Sequence, residues 1–140
     1  MNFKEIHIGR LIKNRVAEYE IPMSRICNFM KCTEQEITDI YLEKNISTEV
    51  LLKWCKLLEY DFFRLYSQHL ILYAPAGFKK TGSTNATLPR FRKNIYTKDI
   101  ISFILKQVES GVMSKSQVIN EYKIPKTTLY KWIMKYKEEK

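Results

Sequence analysis

The segment from Pro125 to Lys137 is rich in hydrogen-bond donors and contains no acidic residue. Lysine and threonine can donate to phosphates or to base edges, and the threonine methyl can contact the methyl of thymine. The outward set consists of Lys126, Thr127, Thr128, Tyr130, Lys131 and Lys135. Upstream, Ser114, Ser116 and Gln117 open another helical segment whose first amides would suit a phosphate. The pattern favours a DNA contact, and a solvated basic face is the alternative.

The excess positive charge of the chain lies outside its first half. The 140 residues carry a formal net charge of +9. Residues 1–73 have ten basic and ten acidic side chains, residues 74–98 have six basic and no acidic ones, and residues 99–140 have eight against five. A basic balance of this size favours an anionic partner, a nucleic acid or a membrane surface. The charge therefore points to the middle and the end of the chain.

Residues 74–94 are predicted to be a basic flexible linker. Pro75, Gly82 and Pro89 interrupt a stretch without apolar periodicity. Its basic side chains could enter a minor groove or belong to a solvated tether, and they include Arg90, Arg92 and Lys93. Because so long an irregular stretch is unusual inside one compact domain, we expect two domains, residues 1–73 and 95–140.

Helical periodicity runs through both predicted domains, and no strand is expected. Thr33 with Glu36, and Ser114 with Gln117, have the spacing of a capping box at a helix start. Gly111 is expected to end the helix that begins after Thr97. We therefore predict an all-α fold, with about five helices in the first domain and three in the second.

Two segments repeat the same apolar spacing at an offset of 92 residues, Ser24–Ile40 and Ser116–Trp132. The spacing predicts two short helices crossing over a tight turn, which is the helix-turn-helix arrangement. An ordinary helical hairpin would show similar spacing. Lys31 and Lys123 stand in the turn where glycine is usual, so each must adopt a positive φ or shift the turn.

The second helix of the first repeat has a different character. Its plausible donors are Thr33, Gln35 and Thr38, and they stand among three acids, Glu34, Glu36 and Asp39, without a base. Three carboxylates facing phosphates would be repelled. This copy is either a second DNA site or a protein-binding surface, used for self-association or for contact with a recombinase.

The end of the first domain is apolar on nearly all sides. Either its last helix is well buried, or it forms a homodimer interface, since tyrosine and phenylalanine favour such surfaces. The candidate interface residues are Phe62, Phe63, Tyr66, Leu70 and Tyr73.

Enzymatic chemistry is not expected. The sequence has no nucleophile–base pair and no glycine-rich phosphate loop, and His7 and His69 stand apart. Cys27, Cys32 and Cys55 are interpreted as apolar packing residues, without a bound metal. We expect no catalytic residue, cofactor or small-molecule substrate. No apolar run would span a membrane, so we expect a cytoplasmic, nucleoid-associated protein.

With these residues in view, residues 6–66 resemble a Cro/repressor-type helix-turn-helix domain. Residues 95–137 resemble the homeodomain-like helix-turn-helix of insertion-sequence transposases, and the whole chain is similar to short Bacteroidetes-type transposase or helix-turn-helix proteins. The stretches that carry the resemblance are Gly9–Ile12, Ile26–Cys27, Leu51–Leu58 and Ile124–Trp132. The resemblance implies binding of double-stranded DNA by the last helix, at the ends of a mobile element.

The chain departs from a complete transposase. Such an enzyme would cut DNA with an Asp/Glu triad on a separate α/β domain, for which this chain has no room. The expected function is sequence-specific DNA binding by a transcription regulator or a non-catalytic transposition-associated protein. The alternative is an assembly module of a mobile-element recombinase with only non-specific DNA affinity.

Overall fold

A computed structural model describes residues 1–74, 87–89 and 96–137. The regular elements of these residues are all α-helices and include no strand, so the all-α prediction is confirmed. The chain divides into two compact units, Met1–Ser67 and Gln68–Lys140. The predicted domain limits at 73 and 95 stay predictions.

The described residues form eight helices. They are α1 (Ile8–Glu18), α2 (Met23–Met30), α3 (Glu34–Leu42), α4 (Thr48–Leu58), α5 (Phe63–Tyr73), α6 (Lys98–Glu109), α7 (Lys115–Tyr122) and α8 (Lys126–Lys137). The division between the units lies inside α5.

The predicted helix starts are confirmed at atomic detail. Both capping boxes are closed: Thr33 and Ser114 each accept from the amide three residues later, and the side chains of Glu36 and Gln117 accept in return. Thr97 accepts from the amide of Ile100. Helix caps of this kind satisfy backbone donors that the helix itself leaves unpaired, typically at about 1 kcal/mol each.

The first unit is built around Trp54 on α4, whose side chain is fully buried. Ile12, Ile26 and Ile37 bring α1, α2 and α3 into the same core. Helix α1 packs on α3 and α4, and α2 packs on the same two helices. The core therefore holds α2 and α3 against the other helices of the unit.

Gly9 allows α1 to approach the end of α3 very closely. The amide of Gly9 donates to the carbonyl of Glu43 at 3.1 Å, and the amide of Ile8 donates to Lys44 at 3.2 Å. A Cβ on Gly9 would lie under 3.0 Å from backbone carbonyl oxygens of Ile40, Tyr41 and Glu43. No side-chain adjustment can relieve a clash with backbone, so the packing of α1 on α3 requires glycine here.

The second unit packs α6, α7 and α8 against one another. Its buried core residues are Ile100, Ile104, Val118, Ile124 and Leu129. The last part of α5 belongs to this unit: the buried Gln68 donates from Nε2 to Thr97 Oγ1 at 3.0 Å. Gln68 thereby holds the residue that caps α6.

The repeat seen in the sequence has a structural counterpart. Helices α2 and α7 begin and end 92 residues apart, and α3 and α8 begin 92 residues apart. The turn residues Lys31 and Lys123 are both left-handed, with φ of 58° and 53°. Of the two alternatives that the sequence leaves open, a positive φ or a shifted turn, the structure has the positive φ at both lysines, and the same backbone turn occurs twice without glycine.

Alkaline pH should destabilise the second unit through Tyr122. Burial, together with the neighbouring Tyr73 and Glu121, raises the pKa of Tyr122 to about 12, against about 10 in an unfolded chain. The neutral phenol is favoured by folding, so this stabilisation is complete below pH ~10 and is lost as the pH rises towards 12. Because solvent screens part of this effect, we expect roughly 1–2 kcal/mol of unfolding free energy to disappear in that window.

Urea unfolding between neutral and alkaline pH measures this loss. Tyr122→Phe removes the ionisable group and should make the alkaline decrease smaller. An equal decrease in the variant and the unmodified chain would contradict the assignment to Tyr122.

Candidate nucleic-acid interface

Helix α8 presents one row of side chains to solvent. Leu129 is fully buried and fixes the inner side of the helix. With 3.6 residues per turn, Thr127, Lys131 and Met134 then fall along the opposite side, and all three are exposed. Met134 is 71% exposed, so the row includes a large apolar group beside two polar ones. We call these three residues the central row of α8.

One flank of the central row meets the start of α7. The ring of Tyr130 lies 5.2 Å from Lys115 Nζ, on α7, and 5.7 Å from Lys126 Nζ, on α8. Two ammonium groups therefore face one aromatic ring, a cation–π arrangement that favours both positive charges. Sequence reasoning named the neighbours of Lys115 and missed Lys115 itself, because its contact with Tyr130 depends on how α7 crosses α8.

The other flank is formed by Thr128, which is half-buried, and Lys135, which is exposed. Lys135 Nζ lies 5.6 Å from the centre of the Tyr136 ring. Trp132 contacts Tyr96 edge to face, with ring centroids 4.9 Å apart, which orients the half-buried side of α8. Cationic groups thus border the central row on both sides.

The beginning of α7 is held by its own cap. Ser114 Oγ accepts from the amide of Gln117, and Gln117 Oε1 accepts from the amide of Ser114 at 2.7 Å. These two predicted site residues are therefore engaged in the cap, while Ser116 is exposed in the first turn. The first-turn amides of a helix have no partner within the helix and are suited to an anion.

The corresponding surface of α3 has its donors occupied. Gln35 Nε2 donates to Asp39 Oδ1 at 2.9 Å, and Thr38 Oγ1 donates to the carbonyl of Glu34 at 2.9 Å. Thr33 donates from both its amide and its hydroxyl to Glu36, at 2.7 Å and 3.0 Å.

The exposed face of α3 carries the carboxylates of Glu34, Glu36 and Asp39 without a basic residue, so it is acidic. The backbone and side-chain hydrogen bonds from Thr33 hold the pKa of Glu36 below its ordinary value, which extends its charged range to lower pH.

The candidate dimer residues are divided between core and surface. Phe62 is buried in the core of the first unit, and Phe63 and Tyr66 pack against that core. Leu70 is exposed, while the ring of Tyr73 contacts that of Tyr122 with centroids 6.1 Å apart. Most of the set therefore has apolar partners within its own chain.

Three predicted site residues, Arg90, Arg92 and Lys93, lie outside the described residues. Among the residues that the structure does describe, no group of three or more His, Cys, Asp or Glu side chains could hold a metal ion. In the same part of the chain, no helix is long and apolar enough to cross a membrane.

Comparison with protein-family models, with curated proteins and with solved structures finds no match to the chain.

Proposed function

We propose that this chain is a sequence-specific double-stranded DNA-binding protein that reads the major groove with α8. It would act as a transcription regulator or as a non-catalytic transposition-associated protein, on the nucleoid of its cell. The observation that supports this most is the exposed face of α8, where a central row of potential base contacts is bordered by lysines on both flanks.

The proposal assigns different DNA groups to the row and the flanks. A helix lying in a major groove has the bases below it and a sugar–phosphate backbone on each side. The central row would meet the base edges. Lys115 and Lys126 on one side and Lys135 on the other would meet phosphates, which give affinity without sequence information.

The first unit would bind protein. Its α3 has the same place in the repeat as α8, but its exposed face carries Glu34, Glu36 and Asp39, and its donors are bonded within the helix. The exposed Leu42 adds an apolar group to that face. A recombinase or a second copy of the chain is the partner class that this surface favours.

The acidic α3 also favours a second candidate function. In this alternative the chain is an assembly module of a mobile-element recombinase, and its basic second unit has only non-specific affinity for DNA. Both functions share the salt-sensitive contact with phosphates, and they differ in whether α8 discriminates between sequences.

Selection of duplexes from a random library by the full chain tests the proposal. We expect one enriched motif, with binding that weakens steeply as salt rises. For ~6 phosphate contacts, log K should fall with log[salt] at a slope of about −5. Salt-sensitive binding without any enriched motif would contradict sequence-specific readout and support the assembly module.

Lys115→Ala should weaken binding equally for the selected motif and for unrelated duplexes, because its ammonium would contact phosphate only. The salt slope should become less steep by about one. Lys53→Ala removes the same charge from an exposed position in the first unit and serves as the control. A Lys115 variant that loses affinity for the motif alone would show that this residue reads bases.

A further inference from the structure

The amino-acid composition of α8 restricts which bases it could read. From Lys126 to Lys137 the helix contains no Asp, Glu, Asn or Gln. Carboxylates are the usual acceptors for the amino group of cytosine, and carboxamides bind adenine through its N6 and N7 together. Helix α8 therefore lacks both kinds of side chain that recognise adenine or cytosine with high selectivity.

The side chains of the central row match the major-groove groups of the other two bases, guanine and thymine. Lys131 carries only donors, and guanine is the base that presents two acceptors, N7 and O6, side by side in the major groove. Adenine places an amino group beside its N7, which would face the ammonium group unfavourably. Lys131 is thus matched to guanine.

Two apolar groups lie on either side of Lys131 in this row. The methyl of Thr127 is one turn before it, and Met134, 71% exposed, is about one turn after it. The one apolar group in the major groove of an unmodified duplex is the C5 methyl of thymine. Thr127 and Met134 are therefore matched to thymine, on the two sides of a guanine.

We infer that α8 recognises guanine and thymine, with Lys131 on guanine N7 and O6 and with Thr127 and Met134 on thymine methyl groups. This inference rests on the proposed function, because it concerns the same face of α8. It adds the chemical class of the ligand. This is a duplex in which the protein contacts the major-groove edges of guanine and thymine and leaves adenine and cytosine uncontacted.

Base analogues in the selected duplex test the inference with the full chain. Replacing the contacted guanine by 7-deazaguanine removes an acceptor and should weaken binding by roughly tenfold. Replacing a contacted thymine by deoxyuridine removes one methyl group and should weaken binding by about fourfold. Replacing adenines by 7-deazaadenine should leave the affinity unchanged.

Side-chain variants assign these effects to residues. Lys131→Gln introduces a carboxamide, which can bind adenine through its N6 and N7. The preferred base at one position should therefore change from guanine to adenine, with a change of roughly tenfold in the affinity for adenine relative to guanine. Lys135→Gln, on the flank, should lower affinity for all sequences and leave the preferred bases unchanged. The Met134→Ala variant should bind the thymine and deoxyuridine duplexes with more similar affinities than the unmodified chain does.

The outcomes separate this inference from the function on which it rests. If a motif is enriched but 7-deazaadenine weakens binding as much as 7-deazaguanine, or if Lys131→Gln keeps the original preference, guanine and thymine recognition by α8 is overturned while DNA reading stands. If the full chain enriches no motif at all, the proposed function fails, and this inference fails with it.

Discussion

Reversing the charges of Lys126 and Lys131 together should abolish binding of the full chain to its selected duplex. Lys126 lies beside Tyr130 and Lys131 lies in the central row. In the proposed complex the first would contact phosphate and the second a base, so the double variant Lys126→Glu/Lys131→Glu would remove one contact of each kind. It also places two carboxylates against the phosphates, each repelled by about a kcal/mol or more near a protein surface. We expect affinity to fall by more than about a hundredfold in a gel-shift titration.

A matched control separates this effect from a change in net charge. Lys13→Glu/Lys53→Glu changes the charge by the same amount at two exposed positions in the first unit. It should weaken binding only slightly at moderate salt, because neither lysine belongs to the proposed contact surface and salt screens exposed charges that make no direct contact. Because all four lysines are exposed, circular dichroism should show both double variants folded. Equal losses in the two variants would mean that α8 has no special part in binding.

Gly9→Ala should destabilise the first unit by about 3–5 kcal/mol. The added methyl group would overlap three backbone carbonyl oxygens at the end of α3. Helix α1 would have to move away, breaking the hydrogen bonds of Ile8 and Gly9 to the two residues that follow α3 and loosening the packing of the buried Ile12. A loss of this size is comparable to the whole stability of a small domain.

Urea unfolding followed by tryptophan fluorescence measures this effect. The chain has two tryptophans, one in each unit, so a Trp132→Phe background reports the first unit through the buried Trp54. Gly111→Ala is the comparison variant; because Gly111 lies in the second unit, its unfolding is followed by the loss of helical circular dichroism. A Cβ there meets nothing within 4 Å, so the cost is backbone strain at a φ of 72°, about 1–2 kcal/mol. If Gly9→Ala lowered the unfolding free energy no more than Gly111→Ala does, the close approach of α1 to the end of α3 would not require glycine.

Much of the backbone could be predicted from the sequence because the signals are local. A capping box needs only two residues at a fixed spacing, and both boxes, at Thr33 and Ser114, are present in the structure. The turn positions of Lys31 and Lys123 limit each residue to a positive φ or a shifted turn, and the structure has the positive φ at both. Local hydrogen bonding and backbone sterics decide these features, so they can be read from neighbouring residues.

Features that depend on packing over long sequence separations could not be predicted. Gln68 is a polar residue on an apolar helix, and its burial against Thr97, 29 residues later, depends on tertiary packing that the sequence does not reveal. Lys115 was overlooked because its partner Tyr130 lies on another helix. For the apolar end of the first domain, the sequence leaves both a buried helix and a dimer interface open; in the structure Tyr73 lies beside Tyr122, while Leu70 is exposed. A single sequence shows which faces are apolar but does not show which faces meet.

Titration of the full chain with its selected duplex, followed by backbone amide chemical shifts, tests most directly whether α8 is the reading helix. We expect the largest shifts at residues 126–135 and at 115–117, with little change at 34–42. Largest shifts at 34–42, with α8 unchanged, would contradict the assignment and make α3 the DNA-binding helix.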